Sequence, residues 1–214
     1  MTNNHRNYPW YQYGIDTALG TGIDYELNRR EMAFAPVELD RMLADATVGG
    51  SKLVKKSIVI VNVPTDNAVL PPTPWYLTPM CVACLVLLLA IALSVRDLRR
   101  RRVTRWFDAA LFGIFGVQGL VLTFLIFVSV HEATSPNWIY AWLNPFCLLV
   151  PILIWIKRAK IVLICYQFTN FAVLFAFLAA WTFIPQTANV AFWPLILAEM
   201  LRSASYLLIN RRKS

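Results

Sequence analysis

Every dense cluster of Lys and Arg in this chain falls on the same side of five apolar segments, and that alternation constrains the fold most. The clusters are Arg96 to Arg105, Lys157 to Lys160 and Asn210 to Ser214. The short connections between them, His131 to Asn137 and Pro185 to Asn189, contain no Lys or Arg. Basic residues are retained in the cytoplasm during insertion, so the pattern sets both the number of spans and their direction. It predicts an all-α polytopic membrane protein, a five-transmembrane-helix bundle with a small extracytoplasmic N-terminal α+β segment. The N-terminus lies outside and residues 210–214 form a cytoplasmic tail.

The predicted spans are about 75–95, 106–130, 138–156, 161–184 and 190–209, each near the roughly 20 residues a hydrocarbon core requires. Trp75, Trp106, Trp138, Trp181 and Trp193 sit near span ends, where an aromatic belt is expected. Asn144-Pro145 and Pro151 interrupt the third span. Proline removes backbone hydrogen bonds, which predicts a kink whose freed carbonyls neighbouring helices must satisfy.

The chain is 58% hydrophobic and 15% charged with a net charge of +8, too apolar for an ordinary soluble domain. Residues 1–74 carry seven Lys and Arg against eight Asp and Glu, and residues 75–214 carry thirteen against four. The positive charge therefore belongs to the membrane half. There it sets topology and can touch anionic headgroups, which argues against nucleic acid and for the lipid bilayer as partner. Cys81, Cys84, Cys147 and Cys165 all fall inside apolar spans, so no disulfide framework is indicated. Cys81-x-x-Cys84 could be redox-active or bind metal; without an accompanying His or second pair, small apolar residues packing on a helix are favoured. No cofactor or metal motif is present, and none is expected.

Residues 1–63 differ in kind. Tyr25 to Ala46 reads as two short amphipathic helices broken by Pro36, and Ser57 to Val63 as a β-strand by its β-branched run. Residues 64–74 form a Pro-rich linker. The segment looks like the end of an extracytoplasmic domain rather than a whole one. No apolar export signal precedes it, which predicts the C-terminal portion of a longer secreted and anchored protein.

Several polar residues are candidate sites. His131 and Glu132, at the outer mouth of the second span, could form a general acid/base pair or bind a headgroup; capping of helix ends is the alternative. Glu199 falls near the middle of the fifth span with Arg202 one turn later, the obvious ion-pair partner. Gln118, Asn144, Gln167 and Asn170 lie at comparable depths. The group reads either as a proton- or substrate-handling cluster or, preferably, as a structural polar network. Asp16 and Asp24 could be ligands or caps, with N-caps favoured, and the run Arg99 to Arg102 could recruit a cytoplasmic partner, though topology determination is favoured.

The string from Pro9 to Leu43 resembles the closing portion of the Lnb-type N-terminal periplasmic domain, through Pro9, Trp10, Gly14, Ile15, Asp16, Ala18, Leu19, Gly20, Asp24, Glu31, Phe34 and Pro36. The membrane half resembles the C-terminal region of bacterial members through Ser129, His131, Glu132, Asn137, Trp138, Asn144 and Pro145. The resemblance implies a papain-like thiol enzyme of the bacterial envelope; one branch transfers an acyl chain onto a lipoprotein's N-terminal amine. It implies residence in the inner membrane with the N-terminus periplasmic, and lipoprotein or lipid as substrate. The family's catalytic His, in an F-G-H context, and its Cys, in a D-N-C context, do not occur in this sequence. The chain therefore reads as anchor and platform for such an enzyme. A non-catalytic scaffold or interaction protein and a small transporter are the alternatives.

Overall fold

The computed structural model of the protein describes residues 8–61 and 72–211, with Glu132 described by its backbone alone. Two compact units divide the chain: Met1–Asp24 together with Pro72–Ser214, and Tyr25–Pro71.

The first unit is helical. Helix α1 (Pro9–Ala18) begins at a proline, whose missing N–H costs nothing at a helix start. A 3-10 turn at Trp75–Leu77 leads into α4 (Pro79–Arg100), which Thr78 caps by accepting from the Cys81 N–H. Arg101 ends α4 in the left-handed region at φ 50. Helix α5 (Arg105–Phe127), helix α7 (Lys160–Ala179) and helix α8 (Phe192–Arg211) follow. These three and α4 are the four helices long and apolar enough to cross a membrane among the described residues. Their outer faces present large apolar side chains such as Leu85, Leu88, Ile114, Val121 and Phe175, as contact with lipid demands.

The least apolar of the four, α8, is the most enclosed: 56% of its apolar window is buried, against 22–33% for the others. It lies between α4 and α7. Its Glu199, Arg202, Ser203 and Ser205 are all buried, because polar groups are tolerated at membrane depth only when protein surrounds them.

The third apolar segment is not one long helix. It folds as a 3-10 turn at Trp138–Ala141, a second at Pro145–Leu148 and the five-residue α6 (Leu149–Leu153). The kink expected at Asn144-Pro145 is thus a break. Asn137 and Asn144 each start a turn of their own by accepting a backbone N–H two residues on, from Ile139 (3.0 Å) and Phe146 (3.1 Å). The broken segment runs antiparallel along all of α5: Phe127 meets Tyr140, Gly119 meets Asn144, Gly116 meets Leu148, and Trp106 meets Trp155. Glycine makes this approach possible, since a Cβ on Gly119 would sit 2.3 Å from the Asn144 carbonyl carbon. Phe112, Phe115, Trp142, Leu143, Cys147 and Phe192 form the centre of the core, all at 3% exposure or less.

The second unit holds helix α2 (Arg29–Met32), helix α3 (Pro36–Asp45) and a two-residue hairpin of β1 (Thr47–Val48) with β2 (Ser51–Lys52). Asn28 and Glu31 close a capping box on α2, and the break before Pro36 falls where expected. The strand expected at Ser57–Val63 does not form over its described residues, 57–61. A β-branched run needs a partner strand to satisfy its backbone, and among the described residues none pairs with it; Ile60 is 92% exposed. Residues 62–71, most of the expected linker, and 212–214 of the tail lie outside the described residues.

Candidate functional site

Two polar constellations stand out in the first unit, one at each end of the bundle core. The outer one, at the end away from the basic residues, joins the GID-x-ALG segment (Gly14 to Gly20) to two loops. Helix α1 ends at Ala18, leaving its last carbonyls without intrahelical donors. Asn137 supplies them: its Nδ2 donates to Thr17 O at 3.0 Å and to Ala18 O and Leu19 O at 3.4 Å. Gln186 Nε2 donates to Leu19 O (2.9 Å) and to Asn137 Oδ1 (3.1 Å), while its Oε1 accepts the Trp138 N–H (2.7 Å). Gly20 N donates to Ala133 O and Thr21 N to Pro136 O. Gly20 is pressed so close that a Cβ would lie 2.3 Å from the Pro136 oxygen.

Asp16 and Asp24 serve this seat and are not N-caps. Asp16 lies inside α1, hydrogen-bonded to Gln12, and its Oδ2 accepts from Asn189 Nδ2 at 2.8 Å. The Asp24 Oδ2 accepts from the Thr187 N–H at 2.8 Å; the cap of α2 is Asn28. Beneath them Tyr13 packs edge-on against Phe192 at 5.2 Å, and burial pushes its phenol up to about 12. Trp10 donates to Leu77 O. The motif residues Trp10, Asp16, Gly20, Asp24, Asn137 and Trp138 therefore converge on one surface. Gly14 stands apart, with open space around it, while Asn144 and Pro145 lie deeper, along α5.

His131 is exposed, its Nδ1 paired with the Ser129 hydroxyl at 2.5 Å. The Glu132 side chain lies outside the described residues.

The inner constellation corrects the expected Glu199–Arg202 ion pair. Arg202 bonds instead to Asp97 (Nη2–Oδ2 2.8 Å), Asp108 (Nε–Oδ1 2.6 Å) and Ser94 (Nη1–Oγ 3.0 Å). Both carboxylates and the guanidinium are at most 2% exposed. Thr104 also donates its N–H and hydroxyl to Asp97 (2.7 and 2.5 Å). Residues three apart leave a helix axis about 60° apart and at different depths. Arg202 thus faces α4 and α5, while Glu199 faces the broken segment and α7. Glu199 Oε1 accepts from Asn170 Nδ2 at 3.0 Å and lies 3.7 Å from the Cys147 thiol, and Asn170 also reaches Ser203 (3.1 Å). Gln167 is buried close by in sequence on α7, and Gln118 joins neither group.

Sequence reasoning missed Asp97, Asp108, Gln186, Asn189 and Cys147 as partners. Asp97 is hidden inside the basic run Arg96 to Arg105, and Asp108 reads as an ordinary first-turn acid. The available signal was depth: two acids, one at each side of the α4–α5 turn, lie level with an Arg near the end of α8. On α4, Cys84 is exposed and Cys81 half-buried.

No curated protein and no solved structure matches the chain. The family model of the Lnb transmembrane domain matches residues 72–214, which takes in all four long helices, the broken segment and both loops of the outer seat. The chain belongs to the Lnb transmembrane domain family and is a membrane-embedded portion of an Lnb-like protein.

Proposed function

We propose that this chain is the membrane platform of a cell-envelope Lnb-like thiol enzyme that acts on acyl groups of lipoproteins or lipids. The observation that carries the reading is the outer seat. Asn137, Gln186, Asn189 and the Thr187 N–H bind Thr17, Leu19, Asp16 and Asp24 through four hydrogen bonds of 3.0 Å or less, and Gln186 braces Asn137 at 3.1 Å. A segment resembling the end of a catalytic domain is thus held rigidly at the bundle surface, which positions chemistry against a lipid substrate. The F-G-H and D-N-C contexts are absent from these residues, so the chain supplies the platform rather than the nucleophile and base.

The broken segment is the fifth crossing. Its march along α5 from Phe127 to Trp106 covers the full length of a spanning helix. It needs no continuous helix, because irregular backbone is tolerated at membrane depth where protein buries it. Arg102, Arg105, Lys157 and Lys160 gather at one end of the bundle, and the outer seat lies at the other. The basic end then faces the cytoplasm of a bacterial inner membrane and the seat faces the periplasm. A lateral groove of about 560 Å³ between the broken segment and α7, lined by Tyr140, Leu149, Val162 and Asn170 among others, suits an acyl chain.

The test is to delete the gene from its host and weigh the N-terminal peptides of the membrane lipoproteins. Loss of an N-linked acyl group is expected, restored by the wild-type gene and not by an Asn137→Ala/Gln186→Ala variant. Lipoprotein N-termini unchanged by the deletion would remove the acyl-transfer reading. A non-catalytic scaffold is the second reading. The internally paired Arg202 favours it, because that group locks helices together and offers no charge to a substrate.

A further inference from the structure

The end of the bundle opposite the outer seat contains a cavity of about 640 Å³. The start of α5, the end of the broken segment, the start of α7 and the end of α8 enclose it. Arg102, Arg105, Lys157 and Lys160 line it, and no Asp or Glu does. Among the described residues none of these four cations has an ion-pair partner. Asp97 on α4 and Asp108 on α5 are already taken by Arg202 and do not line the cavity.

Topology determination explains why cations lie at this end; it does not explain why four converge on one concavity. Like charges converging on one concavity repel unless an anion sits among them. The rim carries a second sign of lipid. Trp106 and Trp155 meet at 4.6 Å between ring centroids, and the Arg105 guanidinium lies 5.9 Å over Trp155. Paired indoles mark the depth of the headgroups, and an Arg held against an indole keeps its fork free for phosphate. The deeper wall is apolar, formed by Ile154 and Ile209, which suits a glycerol and the first acyl carbons and is idle against a free ion.

We propose that this cavity binds the phosphate-bearing headgroup of an anionic phospholipid from the leaflet at the basic end. The lipid phosphate neutralises the four cations, and its glycerol seats on the apolar wall. Binding ties the end of the broken segment to α5, α7 and α8, where no continuous helix holds it. The site is independent of the acyl-transfer reading, because it lies at the other end of the bundle from the outer seat.

The test uses the full chain in a mild neutral detergent, with retention of lipid followed by native mass spectrometry and by thermal aggregation. Phosphatidylglycerol, phosphatidylcholine and inorganic phosphate are compared at equal concentration. Phosphatidylglycerol is expected to be retained and to raise the aggregation temperature, with no effect from the other two. Arg105→Gln/Lys160→Gln is expected to weaken phosphatidylglycerol about 30-fold. Arg99→Gln/Arg100→Gln, equally basic but outside the cavity, is expected to leave it unchanged. Should the first pair fail to assemble, the exposed pair Arg102→Gln/Lys157→Gln takes its place. Equal retention of phosphatidylcholine overturns the proposal, as does equal protection by phosphate alone or equal weakening in the control pair.

Discussion

Replacing Arg202 by Met tests whether the inner ion group holds the bundle together. The guanidinium is 1% exposed and divides its donors among Asp97, Asp108 and Ser94. Removing one partner of a buried pair leaves an uncompensated charge and costs about 3–5 kcal/mol. The two carboxylates share that cost unequally. Asp97 keeps two hydrogen bonds from Thr104 and has Arg96 at 3.7 Å. Asp108 loses its one hydrogen-bonded partner among the described residues, since its Oδ2 has none. Most of the penalty should therefore fall on Asp108, and Arg202→Met/Asp108→Asn should recover more than half of the loss. The assay is the fraction of purified protein that stays monodisperse on size exclusion after heating in detergent. Arg202→Met should lower the midpoint by on the order of 10 °C. A shift under 2 °C, or a double variant no better than the single one, would refute the reasoning.

Four further outcomes follow from the same contacts. Glu199→Gln keeps an acceptor for Asn170 at a carboxyl that has no cationic partner among the described residues, so the heating midpoint should move by no more than about 1 kcal/mol's worth; collapse of the bundle would mark the carboxyl as structurally essential. Gly119→Leu drives a side chain into the Asn144 backbone and should destabilise by about 1–3 kcal/mol or more, whereas Gly14→Ala, with open space around it, should be silent in the same assay. Asn137→Ala frees the carbonyls of Thr17 and Ala18, while that of Leu19 keeps Gln186, at a cost of about 1–3 kcal/mol, and hydrogen exchange at Gly20, Thr21 and Thr187 should quicken while the α7 amides stay protected. Tyr13 has a folded pKa raised to about 12 from 10.0, so its contribution is complete below about pH 10 and is lost as pH rises through about 12. Those same amides should exchange faster across that window than base catalysis alone predicts, and Tyr13→Phe should abolish the extra step.

Much of the membrane half was legible because its signals are one-dimensional. Four apolar stretches of helix length, bounded by Trp and by basic clusters, form helices long and apolar enough to cross a membrane. The third was harder. Its hydropathy matched a span, yet Asn144, Pro145 and Pro151 left it as short turns that hold together only against the glycine face of α5. Hydropathy reports how apolar a segment is and not whether its hydrogen bonds close within it.

The candidate sites divided in the same way. The motif residues of the outer seat were visible as a set, but their partners Gln186 and Asn189 sit about 170 residues from α1 in plain loop sequence. The Asp16 and Asp24 readings failed because a local rule, helix capping, was applied to carboxylates that make long-range bonds. Ser57 to Val63 failed for the same reason in reverse: strand propensity is a property of residues, whereas a strand is a property of pairs.

By itself, the sequence determined how many apolar segments the chain has and which loops carry the positive charge. Those follow from transfer free energies and side-chain charge, which act residue by residue. Only the tertiary structure decided which charges are partners. Glu199 and Arg202 are neighbours on one helix face in sequence terms, but a rotation of about 60° between them sends one to Asn170 and the other to Asp97 and Asp108. The same folding drew four cations, from the α4–α5 turn, α5, the turn before α7 and α7, into a single cavity. Pairing across a bundle depends on rotation and depth, and neither quantity is written along the chain.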